Sequence, residues 1–205
     1  MRMPEGEKKR LYLIRHALPD YPDGERTCLG RKLDLPLGEA GWEQAAVLCR
    51  AFESIPVDCV FSSPLARARQ TAESLRKGPV HLLEELTELD GGAWDGLPFR
   101  EIHKKYPEYF IPGAPCPVPP GGETDEAGAA RGMAALKTIA NTPGHVFAAV
   151  AHASLNWLIL ASLTGTPFSL KKRIPQPCAC VNVLEFDGAN WQVMQSGVNC
   201  LTFHD

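Results

Sequence analysis

Arg15-His16, Arg67 and His152 are the residues of this chain best equipped for chemistry, and each follows a short apolar run. A guanidinium offers a planar fork of donors and keeps its charge at any physiological pH, so two of them suit a phosphate dianion. An imidazole adds either a lone pair that can attack phosphorus or a donor that can hold an oxygen. Taken singly, each residue is ordinary. A histidine at the end of a strand is usually structural, an arginine in a first helical turn is usually solvated, and Glu88 is one acid among 24 Asp and Glu. The chemistry exists only if the fold brings them to one place.

The apolar pattern predicts such a fold. Leu11–Ile14 reads as a buried strand, and residues 17–38, with three prolines and three glycines, read as a long loop. From Glu39 the pattern is helical, with Trp42, Ala45, Ala46, Cys49 and Phe52 on one face. A second strand is expected at Val57–Phe61, a helix from Leu65 to about Lys77, and a third strand near Val80–Leu83. Residues 90–122 interrupt the alternation: a loop, a short helix over Phe99–Tyr109, then five prolines and three glycines between Ile111 and Gly122. They read as a lid-like insertion in a single domain spanning residues 1–205. Thr124 is placed to cap a helix running to about Ala140. Val146–Ala151 is the strongest buried-strand pattern, Ser154 is expected to cap a helix over Leu155–Leu163, and Val181–Phe186 with Trp191–Gln195 reads as a hairpin. Alternating strands and helices predict an α/β chain with three α/β/α layers around a mostly parallel sheet, whose strand ends carry the site.

Composition narrows the function classes. The chain has 205 residues, 22% of them charged, and a net charge of −3, which disfavours a nucleic-acid-binding surface. No apolar run approaches the roughly 20 residues needed to span a bilayer, and the charged first ten residues contain no signal-peptide core, so a cytoplasmic location is expected. Seven cysteines without a framework read as reduced thiols, and Cys178-x-Cys180 has no second pair to complete a zinc site. No metal site or cofactor is expected. His81, His103, His145 and His204 read as ordinary surface or packing residues.

The motifs then become specific. Leu13-Ile14-Arg15-His16-Ala17 resembles the Arg-His-Gly signature of the histidine phosphatase superfamily, in its phosphoglycerate mutase-like branch. Ser63-Pro64-Leu65-Ala66-Arg67-Ala68-Arg69-Gln70-Thr71-Ala72 is similar to that family's Ser-x-Leu-x-Arg-Ala-x-Gln-Thr-Ala segment. Asp34-Leu35-Pro36-Leu37 with Gly41, Gln44 and Ala45, then Leu86-Thr87-Glu88 with Gly92-Ala93-Trp94-Asp95-Gly96, resemble two more segments. Pro120-Gly121-Gly122-Glu123-Thr124 and Ala151-His152-Ala153 complete six in sequence order. The resemblance implies His16 as a nucleophile that becomes phosphohistidine, Arg15, Arg67 and His152 as phosphate ligands, and Glu88 as the acid that protonates the leaving oxygen and then activates water. Cys28, Leu29, Gly30 and Arg31 resemble the substrate-facing loop, with Arg31 a candidate ligand for substrate anions; Leu29, Gly30 and Ala153 are the other expected substrate contacts. Ala17 and Ala153 depart from the family's glycines, and Leu18-Pro19-Asp20 stands where an Asn is usual.

What the resemblance implies is a metal-independent phosphomonoesterase acting on a small phosphorylated metabolite, with α-ribazole phosphatase and broad-specificity bacterial phosphatases as the nearest types. A phosphoglycerate-type mutase is the alternative within the family. It would need a second phosphate site, and residues 90–122 offer only Arg100, Lys104 and Lys105. A catalytically silent binding module is the other alternative.

Overall fold

The computed structural model describes residues 8–110 and 118–203. Its sheet contains β1 (Lys9–Arg15), β2 (Cys59–Ser62), β3 (Val80–Leu82), β4 (Val146–Ala151), β5 (Val181–Phe186) and β6 (Trp191–Val198), in the order β3-β2-β4-β1-β5-β6. The first four run parallel; β5 joins β1 antiparallel and β6 closes the hairpin. Five helices pack around it: α1 (Glu39–Ala51), α2 (Ala66–Ser74), α3 (Phe99–Lys105), α4 (Asp125–Ala140) and α5 (Ala153–Thr164).

Strand alternation divides the core between two faces. Tyr12 and Ile14 of β1 belong with Ala45, Leu48 and Phe52, and with Ala68 and Ala72 of α2. Leu11 and Leu13 face the other way, with Leu136 and Ile139 of α4 and Leu155 and Ile159 of α5. Full burial of one such side chain stabilises the fold by roughly 1.5–3 kcal/mol, so a strand apolar on both sides must lie between two helical layers. The expected three-layer architecture is present. No helix among the described residues is long and apolar enough to cross a membrane.

Element ends differ from the sequence pattern for local reasons. α2 stops at Ser74 because Leu75 caps it and Arg76 turns left-handed at φ 54°. α3 ends at Lys105, since Tyr106 precedes Pro107 and is excluded from helical backbone (φ −131°, ψ 51°). Thr124 caps α4 as expected, its hydroxyl accepting the Ala127 N–H at 3.2 Å. Ser154 does not cap α5; that helix begins two residues earlier than expected, at Ala153, with His152 in the cap position. Residues 111–117, which hold most of the proline-rich stretch and Cys116, lie outside the described residues, as does His204.

The 17–38 loop contains one short 3-10 turn, Pro22–Gly24, and is held by side chains. Gln44 accepts the Leu18 N–H at 2.9 Å, Gln70 accepts the Leu37 N–H at 2.8 Å, and Asp34 accepts the Ala66 N–H at the start of α2 at 2.6 Å. Thr71 accepts the Ala17 N–H at 3.0 Å and donates to the Arg67 carbonyl at 2.7 Å. These motif residues position the loop that walls the site.

Candidate active site

β1, β2 and β4 deliver their next residues to one end of the sheet. Arg15 pairs with Ala151 in register, and Ser62 pairs with Val150. The chains stay joined one step further: His16 N–H donates to Ala151 and Ser63 N–H to Val150, at 3.0 and 2.9 Å. His16 and His152 therefore stand side by side, ring centroids 5.0 Å apart, both buried.

Each ring is held by a neighbour, and for His16 that neighbour sets the tautomer. The Ala17 carbonyl lies 2.7 Å from His16 Nδ1 and can only accept, so Nδ1 carries the proton and Nε2 keeps its lone pair. Ser63 Oγ accepts the Leu65 N–H at 3.3 Å and lies 2.8 Å from His152 Nε2. When that hydroxyl gives its proton to Nε2, the His152 ring proton sits on Nδ1. Burial holds both histidines well below the ordinary imidazole range, reinforced for His16 by Arg67 and Arg15, and for His152 by Arg67 and His16. Both rings are neutral at pH 7.

The guanidiniums are anchored at one end and open at the other. Arg67, 1% exposed, donates through Nη1 to Leu33 and through Nη2 to Gly30. Burial lowers its pKa against the opposing pull of Glu88 and Asp34; guanidinium remains the cation. Arg15 donates to the Gln176 carbonyl. Arg15 Nε, Arg67 Nε and His152 Nδ1 are buried without a hydrogen-bond partner. Buried donors are ordinarily paired, so three in one neighbourhood mark an anion site.

Arg15, His16, Arg67, Glu88, Leu29, Gly30 and Ala153 all line one cavity of about 380 Å³; His152, fully buried beside His16, does not line it. Glu88 is fixed by the start of α5: Oε2 accepts from Ser154 N at 3.3 Å and Oε1 from Leu155 N at 3.2 Å. It occupies the capping role that the sequence assigned to Ser154, accepting two of the helix's unpaired N–H groups. Gly30 must be glycine. It has φ +47°, and a Cβ would lie 1.8 Å from Asp95 Oδ1. Neither Ala17 nor Ala153 has a positive φ, so a methyl group is compatible with both backbones.

Arg31 is placed differently from the expectation. It does not line the cavity; it donates to the Glu88 carbonyl at 2.7 Å and pairs with Glu123 at 2.7 Å. Arg131 completes this group, holding Glu123 at 3.0 and 2.9 Å and donating to the carbonyls of Glu85 and Thr87 at 2.9 and 2.6 Å. Burial raises the Glu123 pKa, but the Arg131 hydrogen bonds and the charges of Arg131 and Arg31 outweigh it and hold Glu123 ionised. The segment bearing Glu88 is thus clamped by an Arg–Glu–Arg group.

Two further residues carry no sequence signal. Gln176, 5% exposed, accepts from Asn182 and donates to its amide oxygen at 2.7 Å, while its carbonyl holds Arg15. Asn182 ties this pair to β1 through the Leu13 carbonyl. Arg100 pairs with Glu25 at 2.7 Å, and neither it nor Lys104 or Lys105 lines the cavity. Among the described residues no group of three or more His, Cys, Asp and Glu side chains could hold a metal ion.

This arrangement has known counterparts. The chain belongs to the histidine phosphatase superfamily (branch 1), whose pattern it matches over residues 11–199. It is 28% identical over 192 residues to the uncharacterized phosphatase PhoE of Bacillus subtilis, covering 91% of this chain and 93% of that one. Among solved structures it is similar to Bacillus stearothermophilus YhfR, with 27% identity, a TM-score of 0.84, and coverage of 93% and 97% of the two chains. A mycobacterial glucosyl-3-phosphoglycerate phosphatase superposes with a TM-score of 0.77 at 26% identity, covering 94% of this chain and all of that one. These likenesses support phosphatase activity and the phosphoglycerate mutase-like fold.

Proposed function

We propose that the protein is a metal-independent phosphomonoester hydrolase acting on a small phosphorylated metabolite through a phosphohistidine on His16. The observation that carries this reading is the meeting of a free imidazole lone pair with three unpartnered buried donors in one place. Arg15, Arg67 and His152 hold the phosphate oxygens and stabilise charge in the transition state. His16 Nε2 attacks phosphorus as the P–O bond to the leaving group breaks, and the Glu88 carboxyl gives its proton to that oxygen. The resulting Glu88 carboxylate then takes a proton from water, whose oxygen attacks phosphorus and breaks the P–N bond. Phosphate leaves, and His16 is neutral again.

A mutase reading would need a second phosphate site, and among the described residues of the 90–122 segment no basic side chain lines the cavity. Arg100 is paired with Glu25, and Lys105 stands over the Tyr106 ring, 5.4 Å from its centroid. The test is hydrolysis of 4-nitrophenyl phosphate in excess chelator, with rapid quenching in alkali to trap the phosphoenzyme. The expected result is undiminished turnover and a phosphorylated peptide containing His16. Loss of turnover with chelator, or His16→Ala retaining the parent rate, overturns the proposal.

A further inference from the structure

The cavity is larger than a phosphate, and its outer part has a consistent chemistry. Tyr21 and Leu29 of the 17–38 loop, Trp94, Phe99 and Val118 of the 90–122 segment, and Trp157 of α5 form its walls. Phe99 and Val118 are 41% and 38% exposed, so apolar surface faces solvent inside a concave site, where it normally marks a ligand. Trp157 donates its indole N–H to the Ile174 carbonyl, which uses its polar edge and fixes the ring.

The charges of that outer part are mostly acidic. Asp90, Glu123 and Asp125 line it, beyond the Glu88 already assigned to the phosphate end. Glu123 is paired with Arg31 and Arg131, and Asp90 lies 3.7 Å from Lys32. Among the described residues, Arg26 is the only basic side chain lining the cavity apart from the phosphate-facing Arg15 and Arg67, and it is exposed. A leaving group carrying a carboxylate or second phosphate would lose hydration among aromatic rings and meet acids rather than a buried cation.

From this we infer that the alcohol esterified to the phosphate is aromatic or large and apolar, with no negative charge of its own; the inference rests on the phosphatase reading above. Flat rings stack on fixed aromatic walls and gain from their burial. Aromatic contacts made beyond the phosphate act on kcat/KM, because the ester is oriented before attack.

The experiment compares benzyl phosphate, 4-carboxybenzyl phosphate and ethyl phosphate, all of which release alkoxides. The expected kcat/KM for benzyl phosphate exceeds those of the other two by roughly tenfold or more. Trp157→Ala and Phe99→Ala are each expected to shrink the benzyl-over-ethyl preference; Phe99 is exposed, so that variant folds even if the Trp157 variant does not. Arg26→Ala is expected to leave the preference for benzyl over 4-carboxybenzyl phosphate in place. Equal or faster hydrolysis of the carboxylated ester, above all if Arg26→Ala abolishes it, overturns the inference. Turnover of all three esters with a trapped phosphohistidine but no aromatic preference defeats the specificity alone. No turnover and no phosphoenzyme with any ester defeats the phosphatase reading, and the specificity with it.

Discussion

The two buried histidines share one electrostatic constraint: neither can take up a proton without placing charge in a dry site already facing two guanidiniums. Both folded-state values lie below those of the unfolded chain. As pH falls through the ordinary imidazole value of about 6.5, the unfolded chain binds protons that the folded chain refuses. Stability is therefore complete above that pH, declines below it, and stops declining once the folded rings protonate. Urea melts between pH 8 and pH 5 should show this loss, and His152→Ala should flatten the slope. Ring NMR of the free protein should find His16 still neutral at pH 5.5; a fully protonated ring there contradicts the assignment. The two alanines give a second residue-scale prediction. Ala17 is fully buried and Ala153 opens α5, both at negative φ. Ala17→Gly and Ala153→Gly should leave kcat within a few-fold of the parent while each costs about 0.5–1 kcal/mol. Thermal melts and kcat check this, and a large gain in activity would show that the methyl groups obstruct the pocket.

Among the elements, the segment carrying Glu88 depends on partners far away in sequence. Glu123 gathers Arg31 and Arg131, and these arginines between them hold the carbonyls of Glu85, Thr87 and Glu88. Glu123→Gln keeps the side-chain shape and removes the charge. It should slow esters with alkoxide leaving groups by about tenfold to a hundredfold while sparing aryl esters, which need little protonation as they leave. Equal losses for both ester types would mean that Glu123 supports the fold and not the placement of the acid. This clamp also shows where sequence reading stops. The structure brings Arg15, His16, Arg67 and His152 together, and what pointed to them in the sequence was the motif each sits in, with apolar runs marking the strand ends at Arg15-His16 and His152. Arg31 was not, since a lone arginine in a glycine-containing loop carries no sign of a glutamate 92 residues later. Gln176 was hidden similarly: its partners are set by the antiparallel approach of β5 to β1, which no local pattern encodes. Helix ends were misplaced where capping came from another element, as with Glu88 at α5.

Over the whole molecule, the alternation of runs was enough to foresee three layers and a parallel sheet with a terminal hairpin, because burial on both faces leaves a strand no other arrangement. Strand order is less visible, yet it decides how the site comes into being. β1 lies inside the sheet, between β4 and β5. Its neighbours are residues 146–151 on one side and 181–186 on the other, more than 130 positions further along the chain. Pairing over such separations carries a loop-closure cost before any contact repays it, which slows folding. A chain ending at residue 175 would retain every expected catalytic residue and still leave one edge of β1 unpaired, without Gln176 to hold Arg15. Such a fragment should show neither a cooperative melt nor phosphatase turnover, whereas a folded, active fragment would refute the dependence. During synthesis, the Arg15-His16 pair leaves the ribosome more than 130 residues before its neighbours in β4 and β5, and waits for them before it has a pocket. Its strand spends that interval with both edges unpaired and the Leu11/Leu13 face without α4 and α5, so the segment that carries the proposed nucleophile needs protection from aggregation while the protein is being made.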